Sequence, residues 1–362
     1  AYLFCPAVLI NSTIWGQADS FTMLLLLVSL LFLYRDKPVV SAVIYGVGVL
    51  CKPQMLIFAP IFIFYTLFKK NIKGFILGIL ASLLTIMVIA TPFIKDFNYL
   101  WLIDKYRETM DYYGYYTINA YNLWALIGKN WAPLPEEGAG LLMLNWFGPF
   151  LATVLCGLLI WKSKKKSAIF IAPAVLMATV YIFSVKMHER YLFPVLLFLI
   201  AGYLFSRDKR FIWLFAGFSL IHYLNVKYVL VLNNTYIDAF APEILILSAA
   251  HMAMYLYMLW VIYSSFIKNK IHHTPERAVN TSLKDKPASP LFPAENIDRR
   301  IKAADIIVVC AITLVYGTAA FWNLGAGVSA NTSWTPGQGE SVVLETQGGI
   351  SSMTGHSRQR RR

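Results

Sequence analysis

Between two long apolar runs, residues 168–185 and 192–205, lies Lys186-Met187-His188-Glu189-Arg190-Tyr191. Four ionisable groups in one short stretch are costly in hydrocarbon, so the stretch belongs at the water edge of a bilayer or in a cavity. Lys and Arg supply charge and donors, and His donates or accepts, which suits a phosphate. The same residues also fit a solvated edge cluster, anchored by Tyr191 and snorkelling side chains. A second group of residues carries complementary chemistry: Trp15, Gln17 and Asp19 in one polar stretch, Lys52 and Gln54 around Pro53, and Trp124. Asp and Gln bind hydroxyls, and Trp stacks on a sugar ring. Taken singly, each has a plainer use. Asp19 can cap a helix, Lys52 can snorkel, and Trp15 and Trp124 can be interface aromatics. His222 and His251, inside apolar runs, read as hydrogen-bonded core residues, and His272-His273 as a solvated pair.

The elements that must position these groups are membrane helices. Hydrophobic residues make up 58% of the 362-residue chain and charged residues 14%, against roughly 25% charge in a soluble domain. Mean hydropathy is +0.57. The expected fold is all-α, a polytopic bundle of about ten transmembrane or half-membrane helices. Apolar runs fall near residues 21–34, 38–51, 55–68, 74–90, 141–161, 168–185, 192–205, 211–232, 244–267 and 303–322. Lys52-Pro53-Gln54 interrupts two short runs, which suggests half-depth helices whose junction lines a cavity. Residues 95–140, rich in Tyr and Trp, are expected to form a long outer loop on the bilayer surface or over a cleft. The expected domains are a membrane domain over 1–267, a cytoplasmic linker over 268–302, a last span over 303–322 and an outer tail over 323–362. The four cysteines lack metal-ligand spacing and read as small core residues. The chain opens without an initiator Met or a signal peptide, so a fragment of a longer protein is expected.

Charge sets the orientation. Alternate loops at 35–37, 69–73, 162–166, 207–210 and 268–302 hold 20 of the 32 Lys and Arg, and the opposite loops hold 8 before the tail. The positive-inside rule makes the first set cytoplasmic. Every loop with unusual chemistry then falls on the outer face. The net charge of +13 is topogenic, and nucleic acid is not an expected partner.

There is no glycine-rich phosphate loop, no zinc-binding His pair and no Asp-x-Asp for a nucleotide sugar. Neither metal nor cofactor is expected. Four stretches nevertheless resemble a known group. They are Pro6 with Asn11-Ser12, Trp15-Gly16-Gln17 and Asp19-Ser20; Lys52-Pro53-Gln54; Asn119-Ala120-Tyr121-Asn122-Leu123-Trp124; and His188-Glu189-Arg190-Tyr191-Leu192 with Pro194. Together they resemble the GT-C glycosyltransferases that use a polyprenyl-phosphate sugar, in particular bacterial mannosyltransferase-like proteins related to the GPI-anchor mannosyltransferases. The last stretch is also similar to the His-Glu-Lys stretch of the glucosyltransferases that use dolichyl-phosphate glucose. That resemblance implies that His188 lies near the lipid phosphate and that Arg190 stands where those enzymes have Lys. The GT-C resemblance adds Asn122 to the candidate binding residues. The family's outer-loop catalytic Asp would precede Ala1, which leaves Asp19 as a stand-in beyond the resemblance.

The resulting expectation is an enzyme of the bacterial plasma membrane. It would move a mannose-like hexose from a polyprenyl-phosphate donor to an outer glycan or protein acceptor. The alternatives are a transporter or flippase of lipid-linked sugars, which would also use broken helices, and an inactive fragment that binds lipid phosphate.

Overall fold

The computed structural model describes residues 2–94, 98, 100–111, 113–135, 138–163, 165–232 and 238–272. The chain divides into two units, Ala1–His273 and Thr274–Arg362, and the described residues lie in the first. Most of the expected linker, the span at 303–322 and the tail at 323–362 lie outside them.

Breaks in the helices carry the architecture. Pro6 opens a short helix, α1 (Pro6–Leu9), which runs into a π-helical turn over Ile10–Ile14. The chain then turns through 115° before α2 (Asp19–Tyr34). Gly16 sits in that turn at φ +69°, where glycine carries no steric penalty. Pro38 starts α3 (Pro38–Cys51). A residue before proline is pushed out of the helical region, and Lys52 is extended, at φ −156° and ψ 119°, ahead of Pro53. A 3₁₀ turn over Pro53–Phe58 then leads into α4 (Ala59–Lys69) and, after an Asn71 cap, α5 (Ile72–Ala90). Close packing of α3 on α5 depends on small residues. A methyl group on Gly46 would stand 2.7 Å from Ser82 Oγ.

The aromatic region contains more structure than a loop. Residues 100–111 form α6 (Leu100–Asp111), and Tyr106 donates to the Val49 carbonyl at 2.8 Å. Beyond it come β1 (Thr117–Ile118) and α7 (Leu123–Leu126). Two long helices, α8 (Ala139–Ser163) and α12 (Pro242–Ile262), pack against α9 (Ala172–Phe183), and a third, α11 (Arg210–Leu232), packs against α10 (Phe193–Ser206), which itself lies on α9. Every residue from Ala172 to Ile182 is buried, as expected for a helix that is apolar all round. At 12 residues it is about 18 Å long. The segment after it, 184–192, therefore begins inside the bundle. There β2 (Met187–His188) pairs in parallel with β1, Ile118 opposite His188.

Among the described residues, five helical segments are long and apolar enough to cross a membrane, and the bent pair Pro6–Ile14 with Asp19–Tyr34 makes a sixth if it is one span. The chain is a helical polytopic membrane protein. Leu80, Leu84 and Val88 of α5 and Met143, Phe150 and Trp161 of α8 are exposed, a surface that lipid would cover. Among the described residues, the basic stretches at 35–37, 69–73, 162–166, 207–210 and 268–272 meet at one end. Asp36 pairs with Lys69 at 3.6 Å and Lys166 at 2.7 Å, Lys165 donates to the Ser265 carbonyl, and Arg210 to the Lys270 carbonyl.

That end is locked by Arg210. Its guanidinium binds Asp208 at 2.6 Å and also reaches Ser264 and Ser265. Burial pushes the Asp208 carboxyl up, but hydrogen bonds from Arg210 and Ser265 outweigh it and hold the group at about 2. A carboxylate lowered in this way stabilises the fold fully above about pH 4 and loses that contribution as pH falls towards 2. Asp208→Asn is expected to cost roughly 3 kcal/mol at neutral pH, since it leaves a buried guanidinium short of its anion. It should also flatten the acid limb of the stability curve between about pH 4 and 2. Unfolding in detergent, followed by intrinsic fluorescence against pH, checks both.

Candidate functional site

Opposite the basic loops, three breaks in the helices bring their polar residues together. Across the 115° bend, Asn11 Nδ2 donates to Asp19 Oδ2 at 3.2 Å, and the Gln17 amide closes the turn onto the Asn11 carbonyl. The proline break after α3 aims Lys52 at the same carboxylate, and its Nζ pairs with Asp19 Oδ1. The third break supplies His188, Glu189 and Arg190. Arg190 Nη1 pairs with Glu189 Oε1 at 3.3 Å. Tyr191 lies between the two cations, with Lys52 Nζ 5.7 Å and the Arg190 guanidinium 5.6 Å from its ring centre.

The His188–Arg190 stretch lies deeper than a hairpin tip at the water edge. His188 and Glu189 are fully buried, because β2 is roofed by β1 and the aromatic segment folds down over it. The His188 ring packs edge-on against Tyr113, centroids 4.6 Å apart, and against Tyr191 at 5.1 Å. Burial, helped by the nearby Arg190 and Lys52 charges, keeps the imidazole well below its ordinary pKa, so His188 is neutral around pH 7 and acts as a hydrogen-bonding group. The cluster balances two cations against two carboxylates, as a poorly solvated site requires. It remains partly open: the side chain of Lys52 is 24% exposed and that of Arg190 15%, against 5% for Asp19 and none for Glu189. The second oxygen of Glu189 has no hydrogen-bond partner among the described residues.

Of the residues singled out from sequence, Asp19, Lys52, His188, Glu189 and Arg190 come together. Trp15 is buried in the bend and Gln17 is half-buried beside it. Gln54 is turned towards α9, its amide 3.7 Å from Met177 Sδ. Asn122 and Trp124 hold the scaffold. Asn122 Oδ1 caps α7 by accepting from the Trp124 and Ala125 amides, its Nδ2 donates to the Tyr181 carbonyl at 2.9 Å, and Trp124 Nε1 donates to the Phe183 carbonyl at 3.1 Å. These bonds tie the aromatic segment to the end of α9. Asn225 completes the clamp, accepting from the Tyr181 hydroxyl at 3.0 Å and donating to the Asn119 carbonyl at 2.9 Å. Sequence reading passed over Asn11, Tyr113 and Asn225 as site-building residues. Asn11 carried a signal, eight positions before Asp19 across a glycine. Tyr113 is one of 21 tyrosines and carried none.

Fold and cluster together give a helical membrane protein with a buried cluster in which cations and carboxylates meet beneath aromatic rings. Residues 17–130 match the model of a family described as ALG3 protein, a family of mannosyltransferases of the endoplasmic reticulum. The match takes in Gln17, Asp19, Lys52, Gln54, Asn122 and Trp124 and ends before His188. That family uses a lipid-linked donor, and the matched stretch is about a third of this chain. No curated protein matches the chain.

The ion pair at the centre makes an asymmetric prediction. Asp19 is the more buried partner, so Lys52→Met strands a carboxylate, whereas Asp19→Asn leaves a lysine that can reach water. Lys52→Met is expected to cost roughly 3 kcal/mol and Asp19→Asn about 1, with the double variant costing less than the sum. Denaturant unfolding of the four proteins in one detergent checks this. Equal, additive losses would mean that the pair carries no coupling.

Proposed function

We propose that the chain is a GT-C type glycosyltransferase that moves mannose, or a closely related hexose, from a polyprenyl-phosphate donor to a glycan or protein acceptor. The observation that carries the reading is the convergence of Lys52, Arg190 and His188 from distant parts of the chain on one partly open point. The family match over residues 17–130 supports it, as does the resemblance of the His188–Arg190 stretch to enzymes that use lipid-phosphate sugars. The site would face the side opposite the basic loops, the outer face of a bacterial plasma membrane. Residues 268–302 would link the membrane domain on the cytoplasmic side to a last span at 303–322 and an outer tail at 323–362.

In this reading the donor phosphate enters between Lys52 and Arg190. The empty cluster is charge-balanced, so an incoming anion draws both cations from their carboxylates. The acceptor hydroxyl attacks the anomeric carbon, the bond from that carbon to the phosphate oxygen breaks, and the phosphate leaves with the bonding electrons. Lys52, Arg190 and the neutral His188 donate to it as its charge grows. A carboxylate takes the hydroxyl proton. Asp19 is the candidate base, able to act once the phosphate has drawn Lys52 away. Trp15 and Gln17 border the sugar end, and Gln54 supports the turn that presents Lys52.

Charged hydrogen bonds to the leaving phosphate are worth about 1.5–3 kcal/mol each, so Lys52→Met, Arg190→Ala and His188→Ala should each slow transfer by roughly ten- to a hundredfold. Losses in the Lys52/Arg190 double variant should fall short of the product, because both groups touch one phosphate. The assay is mannose transfer from synthetic polyprenyl-phosphate mannose by membranes at matched expression. Wild-type rates in all three variants would contradict the reading. Movement of the labelled donor across vesicles without transfer would favour the transporter.

A further inference from the structure

Two helices that read as apolar carry a polar stripe. On α11, Ser219, His222 and Asn225 recur every third residue and therefore share a face. On α12, Ser248 and His251 do the same, and all five are buried. Two members of the stripe have a structural use. Asn225 clamps the aromatic segment, and His251 Nδ1 is 2.8 Å from the Tyr121 carbonyl. His222 differs. It is fully buried, and neither ring nitrogen has a hydrogen-bond partner among the described residues.

Its surroundings are those of the site. Helix α11 packs against α1, the Ile10–Ile14 turn and the Glu189–Leu192 turn, so it touches both the bend that presents Asp19 and the break that presents Arg190. The His222 ring lies 6.4 Å from the ring of Phe193, three residues after Arg190. An imidazole buried without partners costs about 1–3 kcal/mol for each unsatisfied group, and Leu or Phe would pack there without that penalty. A neutral imidazole offers one donor and one acceptor, the complement of a hydroxyl group. A phosphate, by contrast, is served by the cations Lys52 and Arg190.

We infer that His222 forms the floor of the site and is a sugar-recognition residue, exchanging a hydrogen bond with a hydroxyl of the bound hexose. The inference rests on the lipid-phosphate-sugar reading of the cluster and deepens it by separating sugar recognition from phosphate recognition. The wild type should bind polyprenyl-phosphate mannose more tightly than bare polyprenyl phosphate, and His222 should supply part of the difference.

The test uses the full chain in lipid nanodiscs and measures affinity for both lipids. In His222→Phe, affinity for the mannose-bearing lipid should fall about three- to tenfold, the range of a neutral hydrogen bond, while affinity for the bare phosphate stays within twofold. His222→Asn, which keeps a donor and an acceptor, should recover part of the preference. If His222→Phe does not fold, His222→Leu takes its place. An unchanged preference in a folded variant, or an equal loss for both lipids, overturns the role of His222 and leaves the donor reading intact. A wild type that binds neither lipid overturns both.

Discussion

Charge cannot stay unpaired inside an apolar bundle, and the Asp19–Lys52 ion pair shows how this chain meets that constraint. The two residues lie in different helices, and each is delivered by a break: the bend around Gly16 for Asp19 and the proline-forced extension for Lys52. Without the pair, each break would leave a charge poorly solvated. With it, the two breaks brace each other and fix the position at which Arg190 and His188 complete the cluster. The pairing also explains why the segments before and after α9 are so well packed. The third break has to begin inside the bundle to reach the other two.

A charge-balanced cluster behaves differently from a bare cationic pocket. Its cations are already held by carboxylates, so an anion has to exchange partners with Asp19 and Glu189. On the proposed reading, this would make binding selective for a ligand that brings negative charge together with enough apolar surface to enter the bundle. The polyprenyl phosphate of the proposed donor is such a ligand. The rigid surroundings serve the same end. Asn122, Trp124 and Asn225 fix the aromatic segment over His188 through bonds to backbone carbonyls. At the other end of the bundle, Arg210 locks the basic loops independently. The two ends are each tied down by a small set of charged hydrogen bonds, and the helices between them are held by packing.

The helices were largely legible in the sequence, because each is an apolar run bounded by proline, asparagine or a basic cluster. Observed α2, α3, α5, α10 and α11 start and stop within about two residues of those boundaries, inside the usual disagreement over helix ends. The site was legible as a set of residue types and much less so as geometry. Nothing in the spacing of Asp19 and Lys52 reveals that the two touch, since that depends on the angle of the bend. The depth of His188 and Glu189 was hidden because a two-residue parallel pairing has no periodicity to read. Asn122 and Trp124 belonged to a motif suited to ligand contact, and their polar atoms bond to the backbones of α7 and α9. His222 reads from sequence as an ordinary buried histidine, and the structure adds that neither ring nitrogen has a hydrogen-bond partner among the described residues.

The central claim is that a lipid phosphate sits between Lys52, Arg190 and His188. It is tested most directly by photocrosslinking with a polyprenyl phosphate that carries a photoreactive group beside the phosphate, followed by peptide mapping. The account predicts adducts in residues 11–19, 52–55 and 187–193, competed away by unlabelled polyprenyl phosphate and lost in Lys52→Met. Specific adducts confined to the basic loops at 162–166 and 207–210 would contradict it.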